Sequence, residues 1–326
     1  MAQNQDEKTP PPPPQQGGDF STDLHPVNKV PEGVIIVKGA WYSASDSTTP
    51  VPEDGNVTNN IFSDKYFGMS YALPADWIEK YKGPPPSPSG LYVLAQVKTG
   101  DNYKGPAKAS MLITAQDMFF NPPPATTAGE MVSYTKDHLV ADYKAELPLT
   151  QTTLAGHPFT FFAYWSPVAQ LHWYIVATEI RCHTVEIVIT SRDTKALGDM
   201  FLDLNKMTLT GQPGPTPGAE SSAVPVCIKD YAKPENMITR VLPIFSEKRF
   251  NAVPVRIVIN EKGLVKHIHF LSAYPDQSKA ITDALQQWRF KPYLQDGKPA
   301  EVETGIMFGR SAFAPSGPAV ITSATQ

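Results

Sequence analysis

The chain has 326 residues, 41% of them hydrophobic, which is enough to bury more than one core and points to two domains rather than a chain disordered throughout. A formal net charge of −4, with no run of lysine or arginine, supplies no field that would recruit nucleic acid. No stretch approaches the ~20 continuous apolar residues that a membrane-spanning helix needs.

Met1-Ala2-Gln3-Asn4-Gln5 passes directly into a polar, proline-rich segment, as in a mature secreted protein whose signal peptide has been replaced by a start methionine. The expectation is export to the periplasm or the extracellular space, against a cytosolic chain that opens with a tail. Residues 1–60 read as a disordered arm, because the run Pro10 to Pro14 and the Gln15-Gln16-Gly17-Gly18 that follows cannot bury enough apolar surface to offset ordering entropy. One stretch breaks this pattern: residues 33–41, Gly33-Val34-Ile35-Ile36-Val37-Lys38-Gly39-Ala40-Trp41, form a β-branched strand ending on an aromatic. Such a strand must pair. Either it adds to its own chain's sheet, or it is donated to a neighbouring subunit.

Residues 61–210 read as one α+β domain, an antiparallel sheet covered by helices. Strands are expected at 91–97, 109–115, 159–165, 173–180 and 184–190, the last two as a hairpin turning at Arg181-Cys182-His183. A helix is expected at 129–144. A second follows at 194–206, where Leu197, Met200, Phe201 and Leu204 fall on one face. The opening Tyr66-Phe67-Gly68-Met69-Ser70-Tyr71-Ala72-Leu73-Pro74-Ala75-Asp76-Trp77 and the closing hairpin with its helix resemble the PsbP and DcrB-like family. That resemblance implies a binding or accessory module.

Residues 211–222 are a Pro/Gly linker, and a second domain occupies 223–310. Within it, 253–260 and 264–271 form a hairpin through Glu261-Lys262-Gly263. Ile281, Ala284, Leu285 and Trp288 make one helix face over 279–288, and a last strand follows the Asp296-Gly297-Lys298-Pro299 turn. Residues 311–326 read as a disordered tail. The hairpin with Asn260-Glu261-Lys262-Gly263, the Trp288-Arg289-Phe290-Lys291-Pro292 run, the Asp296-Gly297-Lys298-Pro299 turn and the terminal strand resemble, in order and spacing, the TonB C-terminal domain family. The chain departs from the family in carrying Leu242-Pro243 where members usually have Tyr-Pro. The resemblance implies a small βαβ-type domain that contacts a partner by aligning a sheet edge with an extended peptide at the cell envelope.

Chemistry-bearing residues are sparse. Cys182 and Cys227 are the two cysteines, so one bridge is the most they can form. Two readings stand: a disulfide pinning the second domain to the first in an oxidising compartment, or two buried thiols. His267 and His269 alternate on one strand face, too few for a tetrahedral metal site. Cys182 beside His183 lacks a third group to orient the imidazole. Without a phosphate loop, nucleophile elbow or zinc-protease motif, no catalytic, metal or cofactor residue is expected. The expectation is a non-enzymatic, exported envelope protein of bacterial type. It would act by protein–protein interaction or self-association through β-strand addition, with Val34, Ile35, Ile36, Val37 and Trp41 as contact residues. The alternatives are a TonB-type transducer component contacting an outer-membrane transporter and a peptide- or glycan-binding module.

Overall fold

The computed structural model describes residues 34–38, 55–81, 90–104, 108–120, 126–210, 225–246, 251–309 and 320–321. In chain order the strands are β1 (Val34–Lys38), β2 (Asn56–Thr58), β3 (Ile61–Asp64), β4 (Met69–Ala72), β5 (Trp77–Tyr81), β6 (Leu91–Thr99) and β7 (Ala109–Asp117). Helix α1 (Ala128–Asp137) leads to β8 (Lys144–Leu154), β9 (His157–Ser166), β10 (Leu171–Ile180) and β11 (His183–Ser191), then α2 (Thr194–Asp203) and β12 (Thr208–Leu209). The remainder is β13 (Val226–Cys227), β14 (Met237–Thr239), β15 (Val253–Ile259), β16 (Val265–Ala273), α3 (Pro275–Leu285), β17 (Arg289–Phe290), β18 (Tyr293–Gln295), β19 (Lys298–Ala300), β20 (Val302–Phe308) and β21 (Val320–Ile321). The fold is α+β, dominated by antiparallel sheets with few helices.

The largest sheet has seven strands, all antiparallel, in the order β5-β6-β7-β11-β10-β9-β8. One tight corner is the β10–β11 turn, where Arg181 and Cys182 both take left-handed backbone angles (φ 50° and 61°), as a two-residue hairpin that follows the strand twist requires. One face carries Met111, Ile113, Val185, Ile187 and Ile189 into a core closed by Leu197 and Leu204 of the α2 region. Helix α1 covers part of the other face, where Ala128 and Val132 pack on Phe162, Ile175 and Ala177. Both of these helices start where a side chain satisfies orphan amides. Thr127 and Glu130 form a capping box on α1, and Asp193 accepts from the Lys195 and Ala196 amides of α2.

The helix expected over 129–144 is shorter, spanning Ala128–Asp137. It stops at Asp137, where the His138 ring stacks on Tyr134 at 3.8 Å and bonds its carbonyl. Pro148 and the β-branched Thr150, Thr152 and Thr153 then favour the extended β8, a strand the sequence reading did not contain. The folded region also begins earlier than residue 61: β2 pairs with β3 through Asn59 and Asn60, both left-handed (φ 52° and 59°), a conformation that asparagine tolerates. Strands β12, β4, β3 and β2 complete a small four-stranded sheet.

The third sheet runs β1-β16-β15-β20-β13, with β21 added beside β20. Val320 and Ile321 thus belong to the sheet, while the rest of 311–326, most of the proline-rich arm and the linker lie outside the described residues. The β15–β16 turn is held by Asn260, whose Oδ1 accepts from the Lys262 and Leu264 amides at 3.0 and 2.9 Å. Gly263 sits at φ +76°, and a Cβ there would come 2.0 Å from the Phe290 carbonyl oxygen. Helix α3 begins with Pro275 rather than at residue 279, since proline fits the first helical position, where no amide is needed. Ile281, Leu285 and Trp288 are fully buried against Val255, Ile257, Phe270 and Phe308, and the Trp288 indole donates to the Val241 carbonyl at 2.6 Å.

Candidate functional site

The third sheet is packed on both faces. Val255, Ile257, Ile268 and Phe270 face α3, while alternate residues Arg256, His269 and Leu271 face the end of the seven-stranded sheet. Gly305 permits this approach, since a Cβ there would lie 2.4 Å from Cβ of Phe119. Strand β16, clamped from both sides, therefore presents a fixed rail of main-chain groups along the edge not used by β15. That edge is taken by β1 in parallel, with Val34 opposite Ile268, Ile35 opposite His269, Ile36 opposite Phe270 and Lys38 opposite Ala273. A register shift falls between Ile36 and Lys38. The expected residues Val34, Ile35, Ile36 and Val37 are thus in the strand, and Trp41 lies outside the described residues.

Beside this rail lies a buried polar cluster. Arg256, 3% exposed, donates to Nε2 of His183 and to Nδ1 of His269, both at 2.6 Å. It lies 3.4 Å from Asp117 Oδ2 and 3.4 Å from Glu303 Oε1. A guanidinium can only donate, so both imidazole nitrogens that face it accept, and both rings are neutral. His183 then carries its proton on Nδ1, which donates to the Arg181 carbonyl at 2.7 Å. Edges and faces of Tyr66, Phe67 and Tyr92 surround the His183 ring at 5.8, 5.1 and 5.6 Å. Nearby, burial pulls the Lys229 ammonium below its ordinary pKa, while Asp230 and Asp117 draw it back up.

Cys182 and Cys227 are joined by a disulfide, Cα to Cα 5.5 Å, that ties the β10–β11 turn to β13. Cys182 therefore has no thiol to pair with His183. His267 is exposed and His269 is buried on Arg256, so the two share a strand face without sharing an environment. Among the described residues no group of three His, Cys, Asp or Glu side chains is arranged to hold a metal, and no helix is long and apolar enough to cross a membrane. Sequence reasoning singled out His183 and His269 but missed Arg256 and Asp117. The signal for Arg256 was a charge inside Val253-Pro254-Val255-Arg256-Ile257-Val258-Ile259, otherwise apolar. No protein-family model matches the chain, and no curated protein does.

Proposed function

We propose that this is an exported, non-enzymatic protein of a bacterial cell envelope that works by protein–protein contact, adding an extended strand to the edge of β16 that β1 occupies. In this reading residues 61–210 are a PsbP/DcrB-like module and 223–310 a TonB C-terminal-like one. The observation that carries the proposal is the β1–β16 pairing, in which residues 34–38 already occupy that edge through main-chain register. Strand addition draws its affinity from backbone hydrogen bonds, so it requires a rigid acceptor and an extended donor and little else. A disulfide between Cys182 and Cys227 fits the oxidising compartment that export implies.

The same strand can leave its own edge and pair with β16 of a second copy, which joins subunits without new contacts. Light scattering across a concentration series, on the whole chain and on a chain lacking residues 1–45, tests this. Assembly that grows with concentration and vanishes with the arm is the expected result. A strictly monomeric species at high concentration, indifferent to the deletion, would contradict self-association.

A further inference from the structure

Among the described strands, the seven-stranded sheet ends on β5 at one side and on β8 at the other. Strand β5 has five residues and a register shift, whereas β8 runs for eleven, of which seven are exposed and only Leu154 is buried. Natural sheets guard long edges with charge, proline and bulges, since an unpaired edge invites another strand. The first half of β8 carries all three: Lys144 and Glu146, Pro148, and register shifts between Ala145 and Leu147 and between Leu147 and Thr150. Its second half carries none. Thr150-Gln151-Thr152-Thr153-Leu154 pairs with β9 residue for residue, from Thr150 opposite Phe161 to Leu154 opposite His157. No main-chain hydrogen bond to another described element falls on its outer side.

An antiparallel strand turns alternate amides and carbonyls to each side, so this half presents a row of main-chain donors and acceptors away from β9. The side chains beside that row suit a second copy of the same strand. A two-fold axis through Gln151 lays β8 antiparallel on a second β8 with an overlap from Pro148 to Leu154. It sets Thr150 opposite Thr152 of the partner subunit and Leu149 opposite Thr153 of the partner subunit. Lys144 and Glu146 fall outside the overlap, so no like charges meet, and threonine pairs across a ladder are favourable. Thr150 and Thr152 lie on the same face as Phe161 and Phe159, the face that packs on α2, so the two α2-bearing faces continue into one.

We propose that β8 is a dimer edge, joining two copies of this chain through Thr150–Leu154 into one continuous sheet. The contact is isologous and closes on the pair, whereas a β1 passed to a second β16 can continue from copy to copy. The two contacts lie on different sheets and stand or fall separately. Growth with concentration through the arm then starts from pairs, and removing the arm stops the growth and leaves the pair.

Hydrogen exchange resolved to single amides, on the whole chain across a dilution series, reads this edge. On dilution, alternate amides of Thr150–Leu154 should lose protection together, while those bonded to β9 and those of β16 keep theirs. Gln151 is exposed, so a substitution there spares the core. Gln151→Lys sets two ammonium groups face to face on the axis and should raise the concentration of half protection about fivefold or more. Gln151→Glu should do the same, and an equimolar mixture of the two variants should restore protection, since each lysine then meets a glutamate. If a variant loses its native near-ultraviolet circular dichroism, the dilution series on the unaltered chain decides alone. Outer amides that exchange freely at every concentration would overturn the proposal even if mass still grows through the arm. So would protection kept where light scattering gives a single chain, undiminished protection in folded Gln151→Lys, or a mixture no better than either variant.

Discussion

Arg256 sits in the middle of the buried polar cluster. It contacts two imidazoles and lies within ion-pair distance of Asp117 and Glu303 while almost wholly out of water. Taking a guanidinium out of water costs several kcal/mol, which the cluster offsets only while its acceptors stay in place. Arg256→Ala would strand Asp117 and Glu303 with a cation missing, so urea unfolding at pH 7 should show a loss of about 3–5 kcal/mol. A change under about 1 kcal/mol would mean the cluster is better hydrated than its burial indicates. Glu186 gives a pH signature of opposite origin. Its folded pKa of about 7 lies above the ordinary 4.5, so the folded state holds the proton more tightly. That contribution is fully present below about pH 4.5 and is lost as pH rises through about 7. Glu186→Gln should flatten this part of the stability profile, leaving the variant more stable than the parent at pH 8 by on the order of 2 kcal/mol. The pair Gly263 and Gly156 separates backbone strain from steric clash. Both are left-handed, at φ +76° and +79°, but only Gly263 would drive a Cβ into backbone. Gly156→Ala should cost about 1 kcal/mol and Gly263→Ala clearly more, as thermal unfolding would register.

Among elements, those read most accurately from sequence were those whose residues answer to each other locally. The β15–β16 hairpin follows from turn residues between alternating apolar runs, the Asp296-Gly297 turn from two residues that accept left-handed angles (φ 51° and 79°), and α2 from Leu197, Met200, Phe201 and Leu204 on one face. Strand β8 was missed because its exposed residues lack apolar alternation; it exists through its ladder to β9. The Arg256 cluster was illegible for a related reason: Asp117, His183 and Arg256 come from distant parts of the chain, and only the packing of one sheet against another brings them together. The disulfide acts at this same scale. It joins residues 45 apart, for which the loop-closure model gives about 4 kcal/mol at most. Replacing Cys182 and Cys227 together by serine should lower stability by up to that amount in denaturant melts, and the parent treated with dithiothreitol should behave alike. An unchanged midpoint would show that β13 is held without the bridge.

For the molecule as a whole, residues 31–326 form one compact unit, and among the described strands β1 pairs with β16. Parallel pairing over a short strand with a register shift is a modest attachment, the kind that a competing strand can replace. The chain lacking residues 1–45 should therefore keep its sheets and expose the β16 edge. A synthetic peptide of residues 31–41 should restore that edge in trans. Hydrogen exchange resolved to single amides, on the whole chain, the shortened chain and the shortened chain with peptide, measures this directly. The account predicts that protection along β16 falls when the arm is removed and returns as the peptide saturates, with the seven-stranded sheet unaffected. Unchanged protection of β16 on removing the arm, or a peptide that binds without restoring it, would contradict strand addition as the way this protein makes its contacts.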